Sequence, residues 1–531
     1  MSDLLHHIVD RSADRFPDAA AFRFQGRDLT YAELSRQSNA VAATLIDAGI
    51  ERGDRVGIHL NRGLRVPQAV FGIMKAGAAF VPLDPQQPTG RLTDVVRSAG
   101  IRCIVTDQQT AASVLEVVDG GAGVEFLLGP DASGTAERTV SWSDVDRGDC
   151  AFNGVPGLVP EDMAYLMFTS GSTGTPKGIV HTHFSGHSFA STAAKVYGLT
   201  PDDRLSGFPP LHFDQAMFDY FSGPLAGATT VIIPEAHMMM PASLSQLMDQ
   251  ERLTVWYSVP YALVQLLERG ALHERDMSSL RWVLFGGEVF PLGQLRRLME
   301  LWPVARFSNV YGPAEVNQCT YFHVPPPAEW PADWTALPLG DLWPHAEGLV
   351  LDEDGTILPD GSPGEFIVRT PTMMSGYWDG AKERNTVFFT RSRDGRTETF
   401  YRTGDLVLRE KDGLYRFLGR MDRQIKSRGF RIELDEIETA IARFPDVAEA
   451  AAYAVNDDWG TRLIHAAIRP GGATPPSIAQ LRAFLAGELP RYAVPVSIRI
   501  LDDFPRTSSG KTDRLALEKE HQKQQTALET D

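Results

Sequence analysis

The residues best suited to chemistry lie in the run Tyr165-Leu-Met-Phe-Thr-Ser-Gly-Ser-Thr-Gly-Thr-Pro-Lys-Gly178. Thr169, Ser170, Ser172 and Thr173 offer hydroxyl and backbone N–H donors, and Lys177 adds a positive charge. Gly171, Gly174 and Gly178 let the main chain approach an oxyanion with no Cβ in the way. That donor set suits the phosphates of a nucleotide. The spacing is not that of Walker A, which needs Gly, four residues, then Gly-Lys-[Ser/Thr]. The Gly510-Lys511-Thr512 triplet fails the same test, because Pro505 stands where the first glycine belongs. A flexible Ser/Gly linker has similar residue types. It would not follow an apolar, strand-like run or lead into Gly178-Ile-Val-His-Thr-His183.

The elements that must hold this loop alternate along the first half of the chain. Residues 31–48 show apolar spacings of three and four and stop at Gly49, which predicts a helix with its stop signal. Residues 55–60 read as a strand, 66–76 as a helix and 79–83 as a strand, and the alternation continues through 102–106 and 229–234. This is the pattern of layered α/β architecture. Residues 323–345 are rich in Pro and Trp and read as irregular. The glycine turns Asp354-Gly355, Asp360-Gly361 and Asp412-Gly413 then predict hairpins of a small β-rich subdomain. From about residue 422 the pattern becomes a compact α+β tail, with helices over 435–443 and 477–487 and a polar, frayed end from Leu517.

The chain has 531 residues, 43% hydrophobic and 22% charged, an ordinary composition for a soluble protein with more than one core. A formal charge of −17 argues against a nonspecific nucleic-acid surface, which would be basic. Cys103, Cys150 and Cys319 are far apart and form no CxxC pair, so neither a disulfide framework nor a zinc knuckle is indicated. Residues 1–30 lack the apolar core of a signal peptide, and no apolar run approaches the length of a membrane span. The expectation is a cytoplasmic protein that binds neither nucleic acid nor membrane.

Further segments follow the loop in order. They are Leu29-Thr-Tyr-Ala-Glu-Leu34, Lys75-Ala-Gly-Ala-Ala-Phe-Val-Pro-Leu-Asp84, Phe213-Asp214, Asn309-Val-Tyr-Gly-Pro-Ala-Glu315 and Tyr401-Arg-Thr-Gly-Asp405. After them come Gly419-Arg-Met-Asp-Arg-Gln-Ile-Lys-Ser-Arg-Gly-Phe-Arg-Ile-Glu433 and Pro505-Arg-Thr-Ser-Ser-Gly-Lys511. Together they resemble the adenylate-forming superfamily, specifically the amino-acid adenylation domains of nonribosomal peptide synthesis, from residue 29 to about 515.

The resemblance implies an α/β fold. A large multi-subdomain N-terminal domain (1–421), with layered α/β sheets and a small β-rich subdomain, binds ATP and the amino acid. A small mobile α+β C-terminal domain (422–531) carries the catalytic lysine. It also implies ATP-dependent formation of an aminoacyl-AMP, then thioester transfer to the phosphopantetheine of a carrier protein. The twenty residues after Lys511 are too few for a carrier domain, which implies a carrier in trans.

Residue by residue, Asp405 resembles the carboxylate that accepts both ribose hydroxyls. Tyr311 with Gly312 resembles the adenine-stacking corner, and Phe417 and Arg420 resemble further nucleotide contacts. Glu315 resembles the carboxylate that meets Mg²⁺, a hard ion suited to bridging phosphates. Ala314 departs from the usual threonine there and removes a hydroxyl from that corner. Lys511, with Thr169 and Lys177, resembles the catalytic set that stabilises charge developing on the carboxylate and α-phosphate. Asp422 matches the hinge position.

Asp214 stands where amino-acid-activating relatives place a carboxylate against the substrate ammonium; an N-capping aspartate for a helix over 217–221 is the plainer alternative. The rest of the implied pocket is Gln215, Phe218, Tyr257, Leu284, Gly286, Val310, Gln318 and Cys319, reached also by Lys511. Asp, Phe, Tyr, Leu and Cys in these places resemble proline-activating, carrier-loading ligases. The two glutamines depart from that pattern and open the choice to a β-amino acid or a more polar substrate. Two other readings stand beside this one: an acyl-CoA ligase using the same half-reaction, and a catalytically silent scaffold member of the family.

Overall fold

Local signals act strongly in the helix Tyr31–Asp47. The Thr30 hydroxyl accepts from the Glu33 amide at 3.2 Å, while the Glu33 carboxylate accepts from the Thr30 amide at 2.9 Å. This reciprocal cap satisfies two donors that a helix N-terminus otherwise leaves unpaired. The computed structural model describes residues 4–130, 138–148, 152, 154–169, 176–378, 384–457, 461–472, 475–507 and 512–529. Two compact units emerge. One comprises Met1–Pro85, Val95–Phe168 and Gly178–Met421; the other is built on Asp422–Asp531, with Gln86–Asp94 and Thr169–Lys177 grouped to it.

The first unit holds sheets of nine, eight and five strands among the described residues. In the nine-stranded sheet, Thr229–Ile232, Arg204–Gly207, Val255–Ser258, Trp282–Gly286 and Arg306–Tyr311 run parallel as neighbours. All five residues of Trp282–Gly286 are buried, as expected of a parallel strand covered on both faces. Thr320–Val324 then returns antiparallel beside Arg306–Tyr311. The eight-stranded sheet carries Met163–Thr169 and Lys177–Thr182 side by side. The five-stranded sheet is antiparallel, centred on the long strand Arg396–Arg409, which pairs with Tyr415–Arg420. Gly355, Gly361 and Gly413 all have φ between 84° and 91°, the left-handed region that those turns require.

The helical turns Phe218–Ser222 are π-type. Pro224 has no N–H, and the Gly223 amide reaches back to the Phe218 carbonyl. The bypassed Asp219 carbonyl accepts from the Thr230 hydroxyl at 2.7 Å.

The second unit packs helices Leu434–Ala442 and Ile478–Glu488 on the three-stranded sheet of Val447–Asn456, Arg462–Pro470 and Ser497–Ile500. At its start, Arg423 donates to Glu438 at 2.7 Å and to the Ala452 carbonyl at 3.1 Å, and also pairs with Asp435. Asp422 Oδ1 accepts from the Gln424 amide at 3.1 Å. The polar end expected to fray is instead helical over Arg514–Glu529. Its amphipathic signal is one residue wide: Leu517 is fully buried with Ala451 and Tyr453, while Arg514 forks onto Glu438 at 2.8 and 2.7 Å.

Candidate active site

Asp405 and Arg420 face each other directly across the paired strands Arg396–Arg409 and Tyr415–Arg420. Arg420 Nη1 donates to Asp405 Oδ1 at 2.8 Å and to the Thr403 carbonyl at 2.7 Å. The Tyr311 hydroxyl, arriving from the end of a strand in the nine-stranded sheet, donates to Asp405 Oδ2. Asp405 is 5% exposed and Tyr311 7% exposed. Burial, then the adjoining Asp405 carboxylate, hold the Tyr311 phenol far above its ordinary pKa, so it stays a donor. Phe417, half-buried opposite Val407, belongs to the same apolar cluster as Tyr311. A Cβ on Gly312 would lie 2.3 Å from the Asn317 carbonyl oxygen, so the turn after Tyr311 requires glycine.

Glu315 is wholly buried rather than a surface carboxylate. The Tyr377 hydroxyl donates to its Oε1 at 2.8 Å, and its carbonyl accepts from the Met374 amide at 2.7 Å. Beside it, His181 Nε2 donates to the Ala314 carbonyl at 2.9 Å. Burial lowers the His181 pKa to about 4, so the ring is neutral. Among the described residues no group of three or more His, Cys, Asp or Glu could hold a metal ion. A lone carboxylate fits an ion that arrives with phosphates, as Mg²⁺ does, and not a resident metal cage.

Of the expected pocket residues, Tyr257, Leu284, Gly286 and Val310 lie on parallel strands, at whose carboxyl ends α/β sheets bind their ligands. Tyr257 pairs with Leu284, and Gly286 with Val310. A Cβ on Gly286 would stand 2.2 Å from the Val310 carbonyl oxygen. Phe218 meets Tyr257 edge-on, with ring centroids 5.6 Å apart. Gln215 Nε2 donates to the Gly286 carbonyl at 3.4 Å, and Gln318, 2% exposed, donates to the Tyr197 hydroxyl at 3.3 Å. Cys319 is buried, its amide on the Tyr311 carbonyl at 2.9 Å. Asp214 is half-buried, and Oδ1 accepts from the adjacent Gln215 amide at 3.0 Å. The π-turns that follow carry no side-chain cap at Met217. Burial first, and then the Asp214 charge, push the Tyr257 hydroxyl well above its ordinary pKa.

Thr169 ends the strand Met163–Thr169 and Lys177 opens Lys177–Thr182. Ser170, Gly171, Ser172, Thr173, Gly174 and Lys511 lie outside the described residues. Asp422 opens the long C-terminal stretch of the second unit. Sequence reasoning missed Tyr377 and Tyr197, which bind the named residues through single hydroxyls and carry no local signal, and gave no role to Thr403 within its motif. It also missed Asp219, 1% exposed, whose carboxyl oxygens meet no hydrogen-bond partner among the described residues. Burial raises its pKa well above the usual carboxylate range against the pull of Arg62.

Residues 9–378 match the family described as AMP-binding enzyme, and residues 436–511 match the AMP-binding enzyme C-terminal domain. The chain is 36% identical over 514 residues to an L-proline--[L-prolyl-carrier protein] ligase of Streptomyces coelicolor, covering 94% of each chain. It is 32% identical to the enzyme of the same name from Pseudomonas fluorescens, covering 97% of this chain and 98% of the relative. Among solved structures, the amide bond synthetase McbA of Marinactinospora thermotolerans superposes with a TM-score of 0.83 at 25% identity, covering 96% and 99% of the two chains. The Vibrio cholerae adenylation domain AlmE, in complex with glycyl-adenosine-5'-phosphate, shares the fold with a TM-score of 0.83 at 23% identity over 98% of each chain.

Proposed function

The chain belongs to the AMP-binding enzymes, and from that membership we propose that it activates an amino acid with ATP and loads it on a carrier protein. The amino-acid carboxylate attacks the α-phosphorus of ATP, forming aminoacyl-AMP and releasing pyrophosphate. The thiol of the carrier's phosphopantetheine then attacks the acyl carbon, forming a thioester and releasing AMP. The two proline-ligase relatives, aligned over nearly their whole lengths, support the carrier as acceptor.

In this reading Asp405 accepts from the ribose hydroxyls, displacing the Tyr311 hydroxyl, while Arg420 goes on donating to that carboxylate. Tyr311, with Gly312 beside it, and Phe417 flank the adenine. Thr169 to Lys177 bind the phosphates, and Lys511 stabilises the reacting carboxylate. Glu315 would hold Mg²⁺, which neutralises phosphate charge when bound. Residues 1–421 act as the substrate-binding domain and 422–531 as the mobile domain, turning about Asp422. The enzyme works in the cytoplasm, in natural-product biosynthesis such as that of an antibiotic. No helix among the described residues is long and apolar enough to cross a membrane.

Asp214 carries the amino-acid reading: a half-buried carboxylate whose charge is felt by Tyr257 in the pocket wall. The substrate is a proline-like or more polar amino acid. Amino-acid-dependent ATP–pyrophosphate exchange, followed by transfer to a holo-carrier or to coenzyme A, tests the proposal. Exchange with amino acids and transfer to the carrier is expected; transfer to coenzyme A alone would make it an acyl-CoA ligase. Lys511→Ala is expected to lower adenylation on the order of 10²–10³-fold with the fold intact. Exchange at the wild-type rate would remove Lys511 from the mechanism.

A further inference from the structure

Behind the pocket wall runs a line of buried polar groups that pocket lining does not explain. Gln318 Nε2 donates to the Tyr197 hydroxyl at 3.3 Å, and that hydroxyl lies 3.4 Å from Ser308 Oγ. Ser308 sits directly opposite His323 in the antiparallel register, with its Oγ 3.2 Å from His323 Nδ1. Tyr197 is 1% exposed and Ser308 not at all. The Tyr197 ring is held edge-on to Phe218 at 5.9 Å and to Trp282 at 5.2 Å. Its carbonyl accepts from Trp282 Nε1 at 2.9 Å and from Arg281 at 3.1 Å, so the residue is fixed at both ends.

One tautomer of His323 gives the line a direction. Burial and then Arg306 lower the His323 pKa, leaving the ring neutral near pH 7. With its proton on Nε2, Nδ1 accepts from Ser308. Ser308 then accepts from Tyr197, and Tyr197 accepts from the Gln318 amide nitrogen. The Gln318 carboxamide oxygen, turned away from Tyr197, accepts no hydrogen bond among the described residues. Gln215 is set the same way, since the Gly286 carbonyl can only accept and so takes the amide nitrogen.

We infer that Tyr197 and Ser308 are positioning residues for substrate selection, holding the Gln318 carboxamide with its oxygen toward the acid pocket. The pocket then selects an amino acid whose side chain or ring carries a hydrogen-bond donor. The inference rests on the amino-acid-activating reading above. A site built to meet a donor rejects the analogue lacking it, because a desolvated acceptor is left unpaired.

The test is pyrophosphate exchange with pairs differing by one donor-bearing group: L-proline against 4-hydroxy-L-proline, L-2-aminobutyrate against L-homoserine, and L-norvaline against L-glutamine. In the wild type, the donor-bearing member of at least one pair is expected to lead in kcat/KM by roughly 10- to 100-fold. Tyr197→Phe keeps the ring against Phe218 and Trp282 but removes the hydroxyl. It is expected to raise KM for the preferred acid about tenfold and shrink the preference toward parity. KM for ATP should stay within about twofold. Ser308→Ala, one step further from the pocket, should move the preference the same way by less, and serves if Tyr197→Phe folds poorly. A donor-free acid leading every pair, or a preference unchanged in both variants, would overturn the inference while leaving amino-acid activation standing. Exchange with no amino acid would overturn the activation reading itself and this inference with it.

Discussion

Asp405 is the acceptor on which two donors from separate sheets converge, and its replacement shows what each partner depends on. Asp405→Ala takes the shared carboxylate from the Tyr311 hydroxyl and from the Arg420 guanidinium, only 17% exposed, which keeps the Thr403 carbonyl. Hydrogen bonds to charged groups contribute about 1.5–3 kcal/mol each, so KM for ATP is expected to rise on the order of 10- to 100-fold. The same variant should lose the wild-type preference for ATP over 2′-deoxy-ATP; preservation of that preference would assign the ribose to another residue. Asp214 is tested by charge. If it pairs with the substrate ammonium, Asp214→Ala costs the amino acid about 3 kcal/mol in kcat/KM. The des-amino analogue should lose little. Parallel losses for both acids, measured by pyrophosphate exchange, would reduce Asp214 to a local backbone acceptor. Asp405 and Asp214 stand out in the sequence because each sits in a run of ordered neighbours, and these variants test the roles proposed for them. Tyr197 and Tyr377 do not stand out, because a hydroxyl reaching across the fold leaves no trace in its own segment.

At the scale of elements, Glu438 joins the first helix of the second unit to its last. Burial alone would raise its pKa, but hydrogen bonds from Arg514, Arg423 and the Ala452 amide outweigh it and hold the carboxyl below its ordinary 4.5. A depressed folded-state pKa adds stability that is fully present above 4.5 and is lost as pH falls below it through the folded value. Thermal melts of wild type and Glu438→Gln are therefore expected to differ most near neutral pH and to converge only as pH falls below 4.5 through the lowered folded-state value. A gap that stays constant or widens on acidification would show that Glu438 acts through packing and not through its charge. The helices with apolar stripes and caps, such as Tyr31–Asp47 after Thr30, were legible because their signals are local. The helix Arg514–Glu529 was not, because Leu517 and Arg514 gain meaning only once Tyr453 and Glu438 are in place. The π-turns at Phe218–Ser222 escaped for a related reason. Pro224 signals a missing donor, but the Thr230 hydroxyl that relieves the bypassed carbonyl comes from the next strand.

For the molecule as a whole, the proposed motion between half-reactions turns on one stretch of backbone. Asp422→Pro would fix φ there and remove an amide donor. Adenylation and thioester transfer, assayed separately, are expected to respond unequally; equal losses would mark Asp422 as an ordinary turn residue. The clamp beside it fixes how sharp that joint must be. Met421 is tied back through its amide to the Gly404 carbonyl at 2.9 Å, and Arg423 is riveted to Glu438 and Ala452. A single residue spans the interval between these anchors, so torque has no length of chain over which to spread. In the proposed motion the swing falls on the few torsions around Asp422, like a door on one pin. Slackening the far anchor with Arg423→Ala would lengthen the stretch of chain over which the proposed rotation is spread.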